Sequence, residues 1–307
     1  MHPAYSVIVF TTVSGLGYGL AAVLGLGLLD PSQTATKLAH FAALALISAG
    51  LLSSTLHLRN PQRAWRAFSQ WRSSWLSREG VLSIATFVPL CAGAWLAIFE
   101  SRHVPWIGAT GAILAAATVY CTSMIYASLK SVQAWHTPLT SACYLLFAFA
   151  GGLLLATVFA ALSGSQTVLM IVATAIALAG AWIVKAMWRV RLATMAPLST
   201  PESATGLGSI GHVRLLERPH VTENYLTREM GFKVARKHAA KLAWLSALLG
   251  GALPVLLLVV SAIPPFAPDL SPWLIVSALL SHVVGMLTER WLFFAEARHA
   301  VMNYYGG

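Results

Sequence analysis

The side chains best equipped for chemistry gather between Thr55 and Val81, in Thr-Leu-His57-Leu-Arg-Asn-Pro61-Gln-Arg-Ala-Trp65-Arg-Ala-Phe68-Ser-Gln-Trp71-Arg-Ser-Ser-Trp75-Leu-Ser-Arg-Glu79-Gly-Val. This stretch joins two long apolar segments and holds five arginines and three tryptophans. His57 closes the segment before it and Glu79 opens the segment after it. An imidazole near neutrality can donate to or accept from an oxygen, and a partly buried carboxyl can hold and release a proton. Placed where lipid meets water, under an aromatic and cationic cap, the pair suits an oxygen-rich amphiphile that gains and loses protons. The stretch therefore reads as a quinone site, for ubiquinone or menaquinone. His57 and Glu79 are its working groups, Arg63 or Arg59 offset negative charge on the ring, and Trp71 belongs to its wall.

What must position these groups is a membrane body. Of 307 residues, 57% are hydrophobic and only 10% charged, with a mean hydropathy of +0.71; soluble domains carry about 25% charged residues. A span needs about 20 mostly apolar residues, and eight segments meet that need, at 6–29, 38–58, 79–99, 107–129, 138–162, 167–190, 242–263 and 273–297. The first lacks a basic leader and is too long for the apolar core of a signal peptide, so it counts as a span. The expected fold is all-α: an integral membrane bundle of eight transmembrane helices, one domain over residues 1–307, with a basic cytoplasmic loop before the seventh helix.

Of the 20 Lys and Arg, all but Lys37 and Arg102 fall in or near the joints after spans two, four and six, or at the C-terminal end. Basic joints stay in the cytoplasm, which predicts that both termini and the Thr55–Val81 stretch face the cytoplasm. The formal charge of +10 then belongs to one membrane face and not to a nucleic-acid surface. A docking surface for a soluble partner would favour the same residues.

Other groups find smaller roles. His40 opens the second span and His57 closes it about 25 Å away along a helix, so the two cannot share a ligand. The glycines from Gly15 to Gly27 suit close helix approach in lipid, and Asp30-Pro31 is expected to end the first helix. Between Gln62 and Ser77 a helix lying in the interface would put Trp65, Phe68, Trp75 and Leu76 on one face. Ser77 could cap the third span, with Glu79 in its first turn. Tyr126 and His136 approach the same face and could line the rim of the site, as could Glu289 and Arg290. The last two lie far enough inside their span to need partners, for which the arginines after span two and Glu79 are candidates. Cys91, Cys121 and Cys143 read as packed thiols, with no Cys-x-x-Cys and no metal-ligand spacing. Gly206-Leu-Gly208-Ser-Ile-Gly211 has the form of a dinucleotide fingerprint, but it lies between membrane spans and lacks the strand–turn–helix setting.

The motif His57-Leu-x-x-Pro61-x-Arg63-Ala, followed by Ser-x-Leu76-Ser-x-Glu79, resembles the dimethyl sulfoxide reductase membrane-anchor family. The opening Met-His-Pro-Ala-x-Ser-Val, the ending Glu289-Arg-Trp-Leu-Phe-Phe-Ala-Glu296-Ala and the eight-span layout are similar along the whole chain. The resemblance implies a membrane subunit in the bacterial inner membrane, partnered by a molybdopterin catalytic subunit and a ferredoxin-like iron–sulfur subunit. Such an anchor exchanges electrons with the quinone pool, and the family's quinone-reactive histidine and glutamate match His57 and Glu79. The cytoplasmic placement and the long basic 191–241 connection look more like the membrane-bound sulfite dehydrogenase branch, which implies sulfite oxidation coupled to quinone reduction. The rivals are an S- or N-oxide reductase anchor using menaquinol, a haem-b-carrying anchor built on His282, and a transporter. No internal repeat supports the last.

Overall fold

The computed structural model describes residues 3–55, 60–165, 167–197, 199–217, 222, 234–263 and 270–305. Among them all regular structure is helical, and eight helices are long and apolar enough to cross a membrane. These are α1 (Tyr5–Gly25), α2 (Thr34–Thr55), α3 (Trp75–Glu100), α4 (Pro105–Ala127), α5 (Pro138–Leu162), α6 (Val168–Thr194), α7 and α8 (Ser271–Ala295). Helix α7 runs over Val234–Ala247, passes through a π-helical turn at Leu248–Ala252 and continues as Leu253–Ser261. A 3₁₀ helix, Pro61–Gln70, precedes α3, and another, Ala300–Tyr305, follows α8.

Helix ends follow local chemistry. Pro138 at the first position of α5 and Thr137 as its cap place that start where the sequence put it. By contrast α1 stops at Gly25, before Asp30-Pro31, because Gly27 turns the chain at φ +71. Asp30 instead receives the amide and hydroxyl of Ser32 in the joint to α2, bonds that hold its carboxyl below the usual range.

Helices α1 and α5 form the centre, with α2, α4 and α8 packed on α1 and with α4, α6 and α8 packed on α5. A Cβ on Gly19 would run into the backbone of Ala148, and one on Gly152 into that of Gly19. The two central helices thus touch through their main chains, the approach that small residues permit in lipid. Gly285 of α8 meets Gly250 of α7 in the same way. Hydroxyl pairs fix the register between neighbours: Thr86 with Thr118 at 3.0 Å, Ser123 with Ser141 at 2.8 Å, and Thr157 with Thr174 at 2.8 Å. Cys121 and Cys143 are buried, whereas Cys91 is exposed on the flank of α3, against expectation.

Charges on the facing sides of α6 and α8 are paired. Glu289 of α8 accepts from Lys185 of α6 at 2.5 Å, both buried, and Arg189 grips Glu296 with two bonds of 2.9 and 3.2 Å. Lys185 also lies 3.7 Å from the centre of the Trp188 ring, and Arg290 lies 3.9 Å from that of Tyr144. Glu289 therefore finds its cation on α6, and not among the arginines after span two. Removing one partner of a buried pair strands the other charge. Lys185→Met is expected to destabilise the protein by about 3 kcal/mol, and adding Glu289→Gln to restore most of the loss. Thermal unfolding in detergent measures both.

Candidate functional site

The start of α3 is tied to the stretch before it. Ser74 caps the helix by accepting from the amide of Ser77, so the cap is Ser74 and not Ser77. Trp75 and Leu76 consequently belong to α3, and the interface helix ends at Gln70. Ser77 turns its hydroxyl back onto the carbonyl of Ala67. Arg78 donates to the carbonyls of Trp71 at 3.0 Å and Arg72 at 2.7 Å, and its guanidinium lies 4.2 Å from the centre of the Trp75 ring. Phe68 lies against Gly80, where a side chain would collide with its ring. The 3₁₀ helix is thus folded over the first turns of α3 by its own sequence.

Glu79 lies beneath this cap. With the helix beginning at Trp75 it stands one turn deeper than expected, 5% exposed, with its side chain turned toward α4. There the Thr122 hydroxyl donates to Oε1 at 2.5 Å, and also lies 3.1 Å from the carbonyl of Thr118. Among the described residues no Lys, Arg or His forms an ion pair with Glu79. A buried carboxyl held by one hydroxyl, with no paired cation among those residues, can change protonation state without breaking a salt bridge.

The other candidates are dispersed. His57 and Arg59 lie outside the described residues. Arg63 and Trp71 are exposed on the cap, in reach of a headgroup layer or a docked partner. Tyr126 is not a rim residue: it packs among Trp135, Tyr144, Phe293 and Phe294 with ring centres 5.3 to 6.0 Å away. His136 is exposed, its Nδ1 2.7 Å from the carbonyl of Ala127. Glu289 and Arg290 belong to the α6–α8 charge cluster inside the bundle.

His282 is fully buried, with Nδ1 2.7 Å from the carbonyl of Gly250. Pro254 explains that bond. It has no N–H to give the carbonyl four residues earlier, so the imidazole supplies the hydrogen. Nδ1 is then the protonated nitrogen and Nε2 is bare. His282 lines a cavity of about 20 Å³, room for a single water. A haem needs far more space and a second ligand, and among the described residues His282 is the one histidine lining that cavity.

Thr122 is the participant that sequence reading missed. A signal for it exists: Glu79, Ser83 and Thr86 are buried polar residues at spacings of four and three, and Thr118 and Thr122 form a matching stripe on α4.

Comparison with known proteins agrees with this architecture. Residues 1–295 match the model of the DMSO reductase anchor subunit (DmsC) family. The protein is similar to the C subunit of the sulfite dehydrogenase of Allochromatium vinosum, 31% identical over 99% of both sequences. It is also similar to the C chain of the anaerobic dimethyl sulfoxide reductase of Haemophilus influenzae, 27% identical over 48% of this sequence and 56% of that one. The counterpart from Escherichia coli is 26% identical over 52% and 58% respectively. With eight apolar spans and a family match over nearly its whole length, this chain belongs to the DMSO reductase anchor subunit family.

Proposed function

We propose that this protein is the quinone-reactive anchor of a complex with an iron–sulfur subunit and a molybdopterin catalytic subunit. In that complex electrons released by sulfite oxidation pass to the quinone pool of a bacterial inner membrane. The observation that carries the reading is Glu79, a buried carboxyl without a paired cation among the described residues, held under an arginine- and tryptophan-rich cap at the basic end of the bundle. The likeness to a protein whose name places it in a sulfite dehydrogenase, along 99% of both sequences, supports the choice of substrate.

A bound quinone would supply two-electron, two-proton chemistry at its ring oxygens. The protein's own residues do the rest. Glu79 Oε1 is occupied by Thr122, which leaves Oε2 to hold or deliver the proton. The second hydrogen bond to the ring is assigned to the imidazole of His57 on the strength of the sequence motif. Arg63 and Arg59 make the local potential positive, and the tryptophans exclude water around the headgroup. The anchor itself needs no metal, because the electron donor sits in the iron–sulfur subunit, docked on the basic face.

Glu79→Gln and His57→Ala are each expected to lower sulfite-dependent quinone reduction by about 100-fold or more, while sulfite oxidation with a soluble dye stays intact. Retained quinone turnover in both variants would overturn the assignment. Quinol-driven reduction of an S-oxide by the purified complex, without sulfite oxidation, would select the reductase reading that two of the relatives suggest by name. With both termini cytoplasmic, a fluorescent protein fused after Gly307 should fold and fluoresce, and alkaline phosphatase at the same place should be inactive. The reverse pattern would invert the topology.

A further inference from the structure

Helix α6 packs on α7 from the π-helical turn onward, whereas before that turn the first half of α7 leans on α8. The two spans part there and leave a cleft of two cavities. The inner one, of about 370 Å³, is walled by Trp182 and Val190 of α6 and by Ala240, Ala243, Trp244 and Ala247 of α7. The outer one, of about 410 Å³, lies among Ser131, Gln133, Pro197, Arg298 and His299, in the joints at the ends of the spans. The cavities adjoin. Ala240 lines the inner and Ala239 the outer, and Arg189 of the inner wall grips Glu296 of the outer. From Leu192 to Trp182 the cleft follows α6 for about 15 Å at about 1.5 Å per residue. That depth is one leaflet of a hydrocarbon core about 30 Å thick.

We propose that this cleft binds one anionic phospholipid, such as phosphatidylglycerol, with its phosphate in the outer cavity and one acyl chain in the inner. Charge complementarity selects the head. Arg298 is exposed and makes no hydrogen bond or ion pair among the described residues. His299 Nδ1 accepts from the amide of Val301 at 3.1 Å, so Nε2 carries the ring hydrogen and is a donor. Arg189 holds the Glu296 carboxylate with both terminal nitrogens and cancels the charge that would repel a phosphate. Basic pockets between spans hold anionic headgroups in this way.

Polarity and shape select the chain. The alanines of α7 present small side chains to a gap, where small residues elsewhere in the bundle bring helices together. Lys185 and Glu289 border the inner cavity, but they are 5% and 1% exposed and neutralise each other. The cavity therefore meets no free charge there. Val190 and Trp244, 64% and 79% exposed, form its outward rim and leave a lateral way in from the bilayer. The second chain lies along that rim. The lipid completes the packing of α6 against the first half of α7 and keeps water from the Lys185–Glu289 pair. The site is separate from Glu79 and stands independently of the quinone reading.

The test uses the full-length protein in lipid-free detergent. It is titrated with phosphatidylglycerol, with phosphatidylcholine of the same chains, with inorganic phosphate and with decyl-ubiquinone. Native mass spectrometry counts the bound molecules, and the rise in unfolding temperature gives relative affinity. One phosphatidylglycerol per chain is expected, held about tenfold tighter than phosphatidylcholine. Arg298→Gln should abolish that preference while the lipid-free variant unfolds at the parent's temperature. Ala243→Leu, which extends a side chain into the inner cavity, should weaken both phospholipids by about tenfold. Ala240→Leu takes its place if that variant fails to fold. Equal binding of the two phospholipids, a preference that survives Arg298→Gln, or binding untouched by the leucine variants would each overturn the site. Inorganic phosphate that binds as tightly as the lipid would reduce the outer cavity to a phosphate site. Decyl-ubiquinone that displaces phosphatidylglycerol one for one would make the cleft a quinone site. Either result sinks the lipid assignment.

Discussion

A bilayer offers no water to an unsatisfied polar group, and the interior of this bundle is arranged around that constraint. The charges on the inner half of α8 are answered from another helix or by a ring. Glu289 takes Lys185 from α6, and Arg290 lies on the face of Tyr144 from α5. The same demand operates on the backbone. The π-helical turn of α7 loosens the helix just where Pro254 withholds a donor, and α8 repairs it with Ser281 on Leu249 at 2.7 Å and His282 on Gly250 at 2.7 Å. Two side chains of the last span thus complete the backbone of the span before it.

Close packing makes these exchanges possible. Gly250 and Gly285 bring the backbones of α7 and α8 into contact, which puts the imidazole within reach of the freed carbonyl. Gly19 and Gly152 do the same for α1 and α5, and the Thr12, Tyr18 and Tyr144 side chains border the polar cavity beside that crossing. Dispersion between apolar side chains holds the periphery, but the polar interior depends on a few positions without side chains.

The eight spans were legible because length and apolarity are local properties, and the ends strayed only where a local competitor acted. Gly27 turned the backbone ahead of Asp30-Pro31, and Ser74 took the cap from Ser77. Glu79 was legible as a candidate because an ionisable residue near the edge of a span is conspicuous. Its partner was not, since Thr122 is one of many hydroxyls in the spans and choosing it requires the register between α3 and α4. Lys185 escaped for the same reason: along the sequence it looks like part of a basic helix end, and only the rotation of α6 against α8 turns it inward. Tyr126 went the other way, a residue that read as part of the site's rim and is held inside by four aromatic rings.

Arg78 has a mechanical consequence. Its guanidinium grips two carbonyls of the turn while its own backbone belongs to the opening coil of α3, next to the carboxyl-bearing residue. The turn and the helix start therefore behave as a stiff lever. The exposed tryptophans of the turn and the carboxyl one residue beyond Arg78 are thereby parts of a single tied segment.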